Sequence, residues 1–130
     1  MTRWCFDTHG FYFWATSTVF EAETQADLDR RVQSGELWVS AVCFWELALL
    51  ARKGRLAIAD MPKWKEQVCL GSGIAVVDPS ADDMIASTLL PDLHKDPFDR
   101  LLVAQARRHK SGVITRDTLV TQYDVETTWL

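Results

Sequence analysis

The sequence predicts an α/β fold, a three-layer α/β/α sandwich around a central parallel sheet of about five strands. Three observations carry that expectation. Short apolar runs of strand length alternate with longer amphipathic segments, the pattern of βα units. Helix-start signals stand in front of those amphipathic segments. The 130 residues, 48% apolar and 25% charged, have the make-up of an ordinary globular chain that can bury one core, and their number suits a single domain, 1–130.

Residues 3–7 are read as a first strand, with Trp4 and Phe6 suited to a pleated surface. The aromatic stretch 11–14 follows as a short helix or buried turn. Thr18 with Glu21 three residues on has the capping-box spacing for a helix over 19–33 that stops at Gly35. Residues 37–39 form a second strand, and Ser40 caps a helix over 41–53 that Gly54 ends. A helix over 61–70 takes Asp60 as N-cap and Pro62 in its first turn, where a missing N–H costs nothing.

Residues 74–77 are a third strand, broken by Pro79. Ser80 with Asp83 repeats the capping signature for a helix over 81–89. Asp96, Pro97 and Asp99 give N-cap, N1 and N3 in order for a helix reaching His109, with Arg107, Arg108 and Lys110 at its negative end. Strands over 113–115 and 125–129 complete the order.

Cys5, Cys43 and Cys69 are odd in number and form no CxxC pair, so neither a disulfide framework nor a zinc site is expected. A reducing cytoplasm is the expected location, since no apolar run approaches the ~20 residues of a membrane span and the first residues lack a signal-peptide pattern. The net charge of −4, from 14 Lys and Arg against 18 Asp and Glu, argues at face value against a polyanionic partner.

Open parallel sheets place their sites outside the carboxyl ends of the strands. Asp7 ends the first predicted strand, Asp117 lies just beyond the fourth, Glu46 is in the second turn of the helix leaving the second, and Asp99 opens the helix that leads into the fourth. These four carboxylates can converge. Each of three also has a plain structural reading: Asp7 as an N-cap, Asp99 as the N3 member of a capping box, Asp117 as a turn opener. Glu46 is harder to explain that way, because it is the one charge among Ala41 to Leu50 and a lone buried carboxylate costs several kcal/mol unless paired or metal-bound. Carboxylates without Cys or a spaced His pair suit a hard cation, Mg²⁺ or Mn²⁺. One or two such ions would relieve the repulsion and could activate water against a phosphodiester.

The runs Phe6-Asp7-Thr8-His9, Ser40 to Ala48 followed by Gly54-Arg55-Leu56, His94-Lys95-Asp96-Pro97-Phe98-Asp99-Arg100 continuing to Ala106, and Val113-Ile114-Thr115-Arg116-Asp117 with Tyr123, Val125 and Trp129 resemble PIN-domain ribonucleases, most closely VapC-type toxins of toxin–antitoxin pairs. The resemblance spans essentially the whole chain. It implies that Asp7, Glu46, Asp99 and Asp117 bind the metal, with Asp96 an N-cap first and metal-proximal second, and Thr8 and Thr115 orienting a carboxylate or water. It implies an endoribonuclease leaving 5′-phosphate and 3′-hydroxyl ends, a cognate antitoxin, a homodimer, contact with DNA only through the antitoxin, and no membrane partner. Family members often carry a basic residue where Leu50 stands and a smaller one where Phe44 stands.

Arg52, Lys53 and Arg55 at a helix end, with Arg100 and Arg116 near the site, are the expected phosphate contacts. His9, His94 and His109 are the acid–base candidates for a metal-free reaction, with His109 read as a helix-end residue and His9 as packed beside the site or, as the alternative, in contact with substrate. The alternatives are a PIN-fold module without activity and a PIN nuclease that processes RNA with no antitoxin. An aspartyl phosphatase would need Asp where His9 stands, and Gly71-Ser72-Gly73 precedes a strand, the wrong order for a dinucleotide fold.

Overall fold

The computed structural model describes residues 3–130. Five strands, β1 (Trp4–Phe6), β2 (Leu37–Ser40), β3 (Ala75–Val77), β4 (Gly112–Ile114) and β5 (Thr127–Thr128), form one sheet in the order β3-β2-β1-β4-β5. Every pairing is parallel. Six helices connect them: α1 (Thr8–Thr16), α2 (Ala22–Gln33), α3 (Ala41–Arg52), α4 (Met61–Ser72), α5 (Ala81–Thr88) and α6 (Pro97–Arg108). A 3₁₀ turn at Val120–Gln122 precedes β5.

Alternation along the strands separates two cores. Phe6, Leu37, Val39 and Ile114 face one side, where they pack with Phe11 and Trp14 of α1, Leu28 and Val32 of α2, and Cys43, Phe44 and Leu47 of α3. Cys5, Trp38 and Val113 face the other, against Leu102 and Ala106 of α6. That is the three-layer sandwich expected from the sequence. Ser40 and Gln105 are buried polar groups of the second face, and they satisfy each other: Ser40 donates to Gln105 Oε1 at 2.6 Å while Gln105 Nε2 donates to Val77 O at 3.0 Å.

The helix caps fall where the sequence puts them. Ser40 accepts from the Val42 N–H, Asp60 from Lys63, Asp96 from Phe98, and Ser80 with Asp83 forms a reciprocal capping box. The α2 start is different. Its N-cap position is Glu21, without a side-chain cap bond, and the expected Thr18 cap does not form. Thr18 lies in the link from α1, its hydroxyl 2.9 Å from Thr16 Oγ1, after the chain turns through Ser17 at φ 54°. α1 is also longer than the aromatic stretch implied, because Asp7 caps it and accepts from Gly10 N–H. The last strand shortens from the expected five residues to two, Thr127–Thr128.

Candidate active site

Connections run from β1 outward to β2 and β3, then cross back to place β4 and β5 on the other side of β1. The strand order therefore reverses between β1 and β4, and a crevice opens at the carboxyl ends of those two strands. Asp7 follows β1 and Thr115 follows β4, so the crevice is built from both. A cleft of about 360 Å³ there is lined by Asp7, His9, Glu46, His94, Asp96, Asp99, Arg116 and Asp117.

Each carboxylate is held by a specific donor. Buried Asp7 accepts from the Gly10 N–H at 2.7 Å through Oδ1 and from Thr115 Oγ1 at 2.6 Å through Oδ2. Glu46 Oε1 accepts from Thr8 Oγ1 at 2.5 Å. Asp117 Oδ1 accepts from the Leu119 N–H at 2.8 Å, and its own N–H donates to Thr115 Oγ1 at 3.0 Å. Asp117 Oδ2 and Asp99 Oδ2 each lie 3.0 Å from His94 Nε2. Asp96 keeps its Oδ1 on the Phe98 N–H, 2.9 Å away, while lining the cleft.

The electrostatics are those of crowded acids. Burial pushes the Asp7 and Glu46 carboxyls above their ordinary range, opposed at Asp7 by Thr115 and Gly10 and at Glu46 by Thr8. Asp99 is pushed up to about 7, by burial first and then by the negative charges of Asp96 and Glu46. Burial acts on Asp117 too, but the His94 ring and the Leu119 N–H outweigh it and hold that carboxyl below its usual range. A divalent cation answers this repulsion directly, and one atom each of His94, Asp99 and Asp117 already lies within 4.8 Å of the others. The donor set of carboxylate oxygens suits Mg²⁺ or Mn²⁺. Cys5 and Cys43 offer no rival chemistry, since both are buried and burial drives their thiols up, Cys43 to about 12, and half-buried Cys69 lies outside the cleft lining.

Nine of the residues singled out in the sequence meet here: Asp7, His9, Glu46, His94, Asp96, Asp99, Arg116 and Asp117 line the cleft, His9 exposed there, with Thr115 bonded to Asp7. Thr8 joins them through Glu46. Arg116 is mounted, its guanidinium 5.1 Å from the Phe13 ring centroid and 5.3 Å from that of Trp129. Arg100 is a correction. Its guanidinium donates to the carbonyls of Ser87, Leu90, Pro91 and His94, which leaves it tying down the 87–94 segment instead of facing a phosphate. Arg52, Lys53 and Arg55 are exposed at the far end of α3 and just past it, outside the cleft lining. Sequence reasoning gave His94 no place among the carboxylates. Its position two residues before the Asp96 cap was the one available signal.

Comparison with known proteins bears on the family and the fold. The PIN domain family model matches residues 5–126. Ribonuclease VapC22 of Mycobacterium tuberculosis is 29% identical over 118 residues, covering 90% of this chain and 88% of the relative. Among solved structures, VapBC2 from Rickettsia felis bound to a DNA fragment from its promoter superposes with a TM-score of 0.75 at 10% identity over 99% of both chains. DNA-bound VapBC from Salmonella typhimurium gives 0.72 at 12% identity over 98% of both. At those identities the two structures speak to fold.

Proposed function

Because the chain belongs to the PIN-domain family, we propose that it is a metal-dependent endoribonuclease, a single PIN domain acting as the toxin of a toxin–antitoxin pair in the cytoplasm. The observation that supports this most is the convergence of Asp7, Glu46, Asp99 and Asp117, from four separate segments, on one cleft at the strand-order reversal. The curated ribonuclease relative supports the nuclease reading, and the VapBC structures support an antitoxin partner.

Asp7, Glu46, Asp99 and Asp117 would hold the ion, with Asp96 beside them. An ion held there, Mg²⁺ or Mn²⁺, would supply charge neutralisation at the scissile phosphate and would bind and acidify the attacking water, the chemistry of a hydrolysis that gives 5′-phosphate and 3′-hydroxyl ends. The chain's own residues do the positioning. Thr115 and the Gly10 N–H fix both oxygens of Asp7, and Thr8 fixes one oxygen of Glu46, so the carboxylates are oriented before any ligand arrives. Arg116, stacked on Phe13 and Trp129, presents a guanidinium at the cleft wall for a phosphate oxygen. Arg52, Lys53 and Arg55 are placed to meet the strand farther along. Trp45, 59% exposed and edge-on to Phe98 at 4.8 Å, belongs to an α3–α6 surface suited to the antitoxin or a second copy of the chain.

Purified protein incubated with RNA and Mg²⁺ should cleave it, and EDTA or Asp7→Asn should abolish the cleavage. Cleavage that persists in EDTA would overturn the reading.

A further inference from the structure

His94 reaches the cleft from a segment whose backbone is latched. Tyr123 Oη accepts from the His94 N–H at 2.9 Å and donates to Pro91 O at 3.1 Å. Arg100 holds the carbonyls on either side. The ring is therefore presented to the carboxylates by two side chains that take no other part in the site.

The orientation of that ring fixes its tautomer. Nδ1 lies 3.1 Å from the Asp96 backbone nitrogen, which can only donate, so Nδ1 is the acceptor. The ring proton is then on Nε2, and Nε2 faces Asp99 Oδ2 and Asp117 Oδ2 at 3.0 Å each. A nitrogen that carries a proton has no lone pair to give a metal. The same ring that looks by proximity like a third ligand is by its hydrogen bonds a donor.

We infer that His94 is a positioning residue of the metal centre: its Nε2–H holds the Asp99 and Asp117 carboxylates together from outside the coordination sphere, and the Asp96 N–H keeps it in that tautomer. Asp96 thus contributes its backbone to the site as well as its cap. The reading rests on the proposed metal centre. Donors to ligating groups of this kind are worth about 10- to 100-fold in metal affinity.

Two measurements test it without reference to catalysis. Long-range ¹H–¹⁵N spectra of protein labelled at histidine should show His94 protonated at Nε2, both metal-free and with saturating Mg²⁺. Mn²⁺ titration followed by the electron paramagnetic resonance of the free ion should give His94→Ala an affinity at least about 10-fold weaker than the parent chain. His94→Gln, whose amide can donate from a similar position, should recover part of the loss, and unchanged thermal melting of the metal-free variants excludes misfolding as the cause. An Nδ1-protonated ring, or an Nε2 resonance that moves to a metal-bound position, overturns the inference. So does equal Mn²⁺ affinity in His94→Ala and the parent. If the parent chain itself binds no Mn²⁺, the metal centre falls and this role falls with it.

Discussion

Asp99 carries part of the cost of assembling the site. Its carboxyl sits at about 7, against an unfolded value near 3.9. Between those two values the folded chain keeps a proton that the unfolded chain loses. The metal-free protein should therefore lose stability as pH rises through that window and level off above 7. Cation binding requires the same proton to leave, so affinity should fall about 10-fold from pH 8 to pH 6. Thermal melts with and without Mg²⁺ at the two pH values check both signs: the rise in melting temperature on adding Mg²⁺ should be larger at pH 8, and an equal rise would show that Asp99 is not where the ion sits. Thr115 acts on Asp7 in a simpler way. Thr115→Val keeps the shape but removes the donor from a buried carboxylate oxygen, and the expected result is a folded protein with roughly 10- to 100-fold lower RNA cleavage. Asp7, Asp99 and Asp117 were legible in the sequence because they fall where parallel strands end or where the helix returning to β4 begins, and Glu46 because it is the lone charge on an apolar helix, although it is half-buried and not fully buried as expected. His94 and Arg100 were not, since their roles depend on which of several nearby backbone groups they meet once the 87–96 segment is folded.

Among the elements, four of the helix starts with a side-chain cap were legible, while the Asp7-capped start of α1 and the uncapped start of α2 were misplaced. Ser40, Asp60, Ser80 and Asp96 announced four helix starts, each by a bond that spans two or three residues. Thr18 and Glu21 show the same spacing, yet the chain enters α2 from a turn fixed by α1, with Gln25 Nε2 donating back to Trp14 O at 2.8 Å. That long-range constraint leaves no mark at positions 18–21. The β1–β4 pair has a second feature of this kind. Trp4 lies opposite Gly112, and a Cβ on Gly112 would come within 2.4 Å of the Trp4 ring. Glycine is required there by close approach alone, since its φ is not among the positive ones. Gly112→Ala should displace Trp4 from its packing and cost about 1–3 kcal/mol. A lowered urea midpoint with an unchanged m-value would register this, and an unchanged midpoint would mean that the ring relocates freely.

Across the whole molecule, the charge that first argued against a nucleic-acid partner is concentrated in the site itself. Of the 18 acidic residues four are the proposed metal ligands, and the remainder equal the 14 Lys and Arg in number. A body that is neutral outside one acidic cleft has little general attraction for RNA, and the cleft itself repels phosphate until a cation fills it. The consequence is opposite in sign to ordinary electrostatic binding. Added divalent ions normally weaken protein–RNA contacts, because they compete for the phosphates that basic side chains would neutralise. Here Mg²⁺ should strengthen binding, since the ion converts the repelling cleft into the attachment point. Anisotropy titrations with a labelled phosphorothioate RNA, which limits cleavage during the measurement, should show affinity at least about 10-fold tighter in Mg²⁺ than in EDTA at matched ionic strength. Arg116→Ala should weaken binding and reduce the slope of log affinity against log salt by about one, as removal of a single phosphate contact does. Equal or weaker binding in Mg²⁺ would place the RNA on a surface away from the cleft, with the exposed Arg52, Lys53 and Arg55 as the first residues to test.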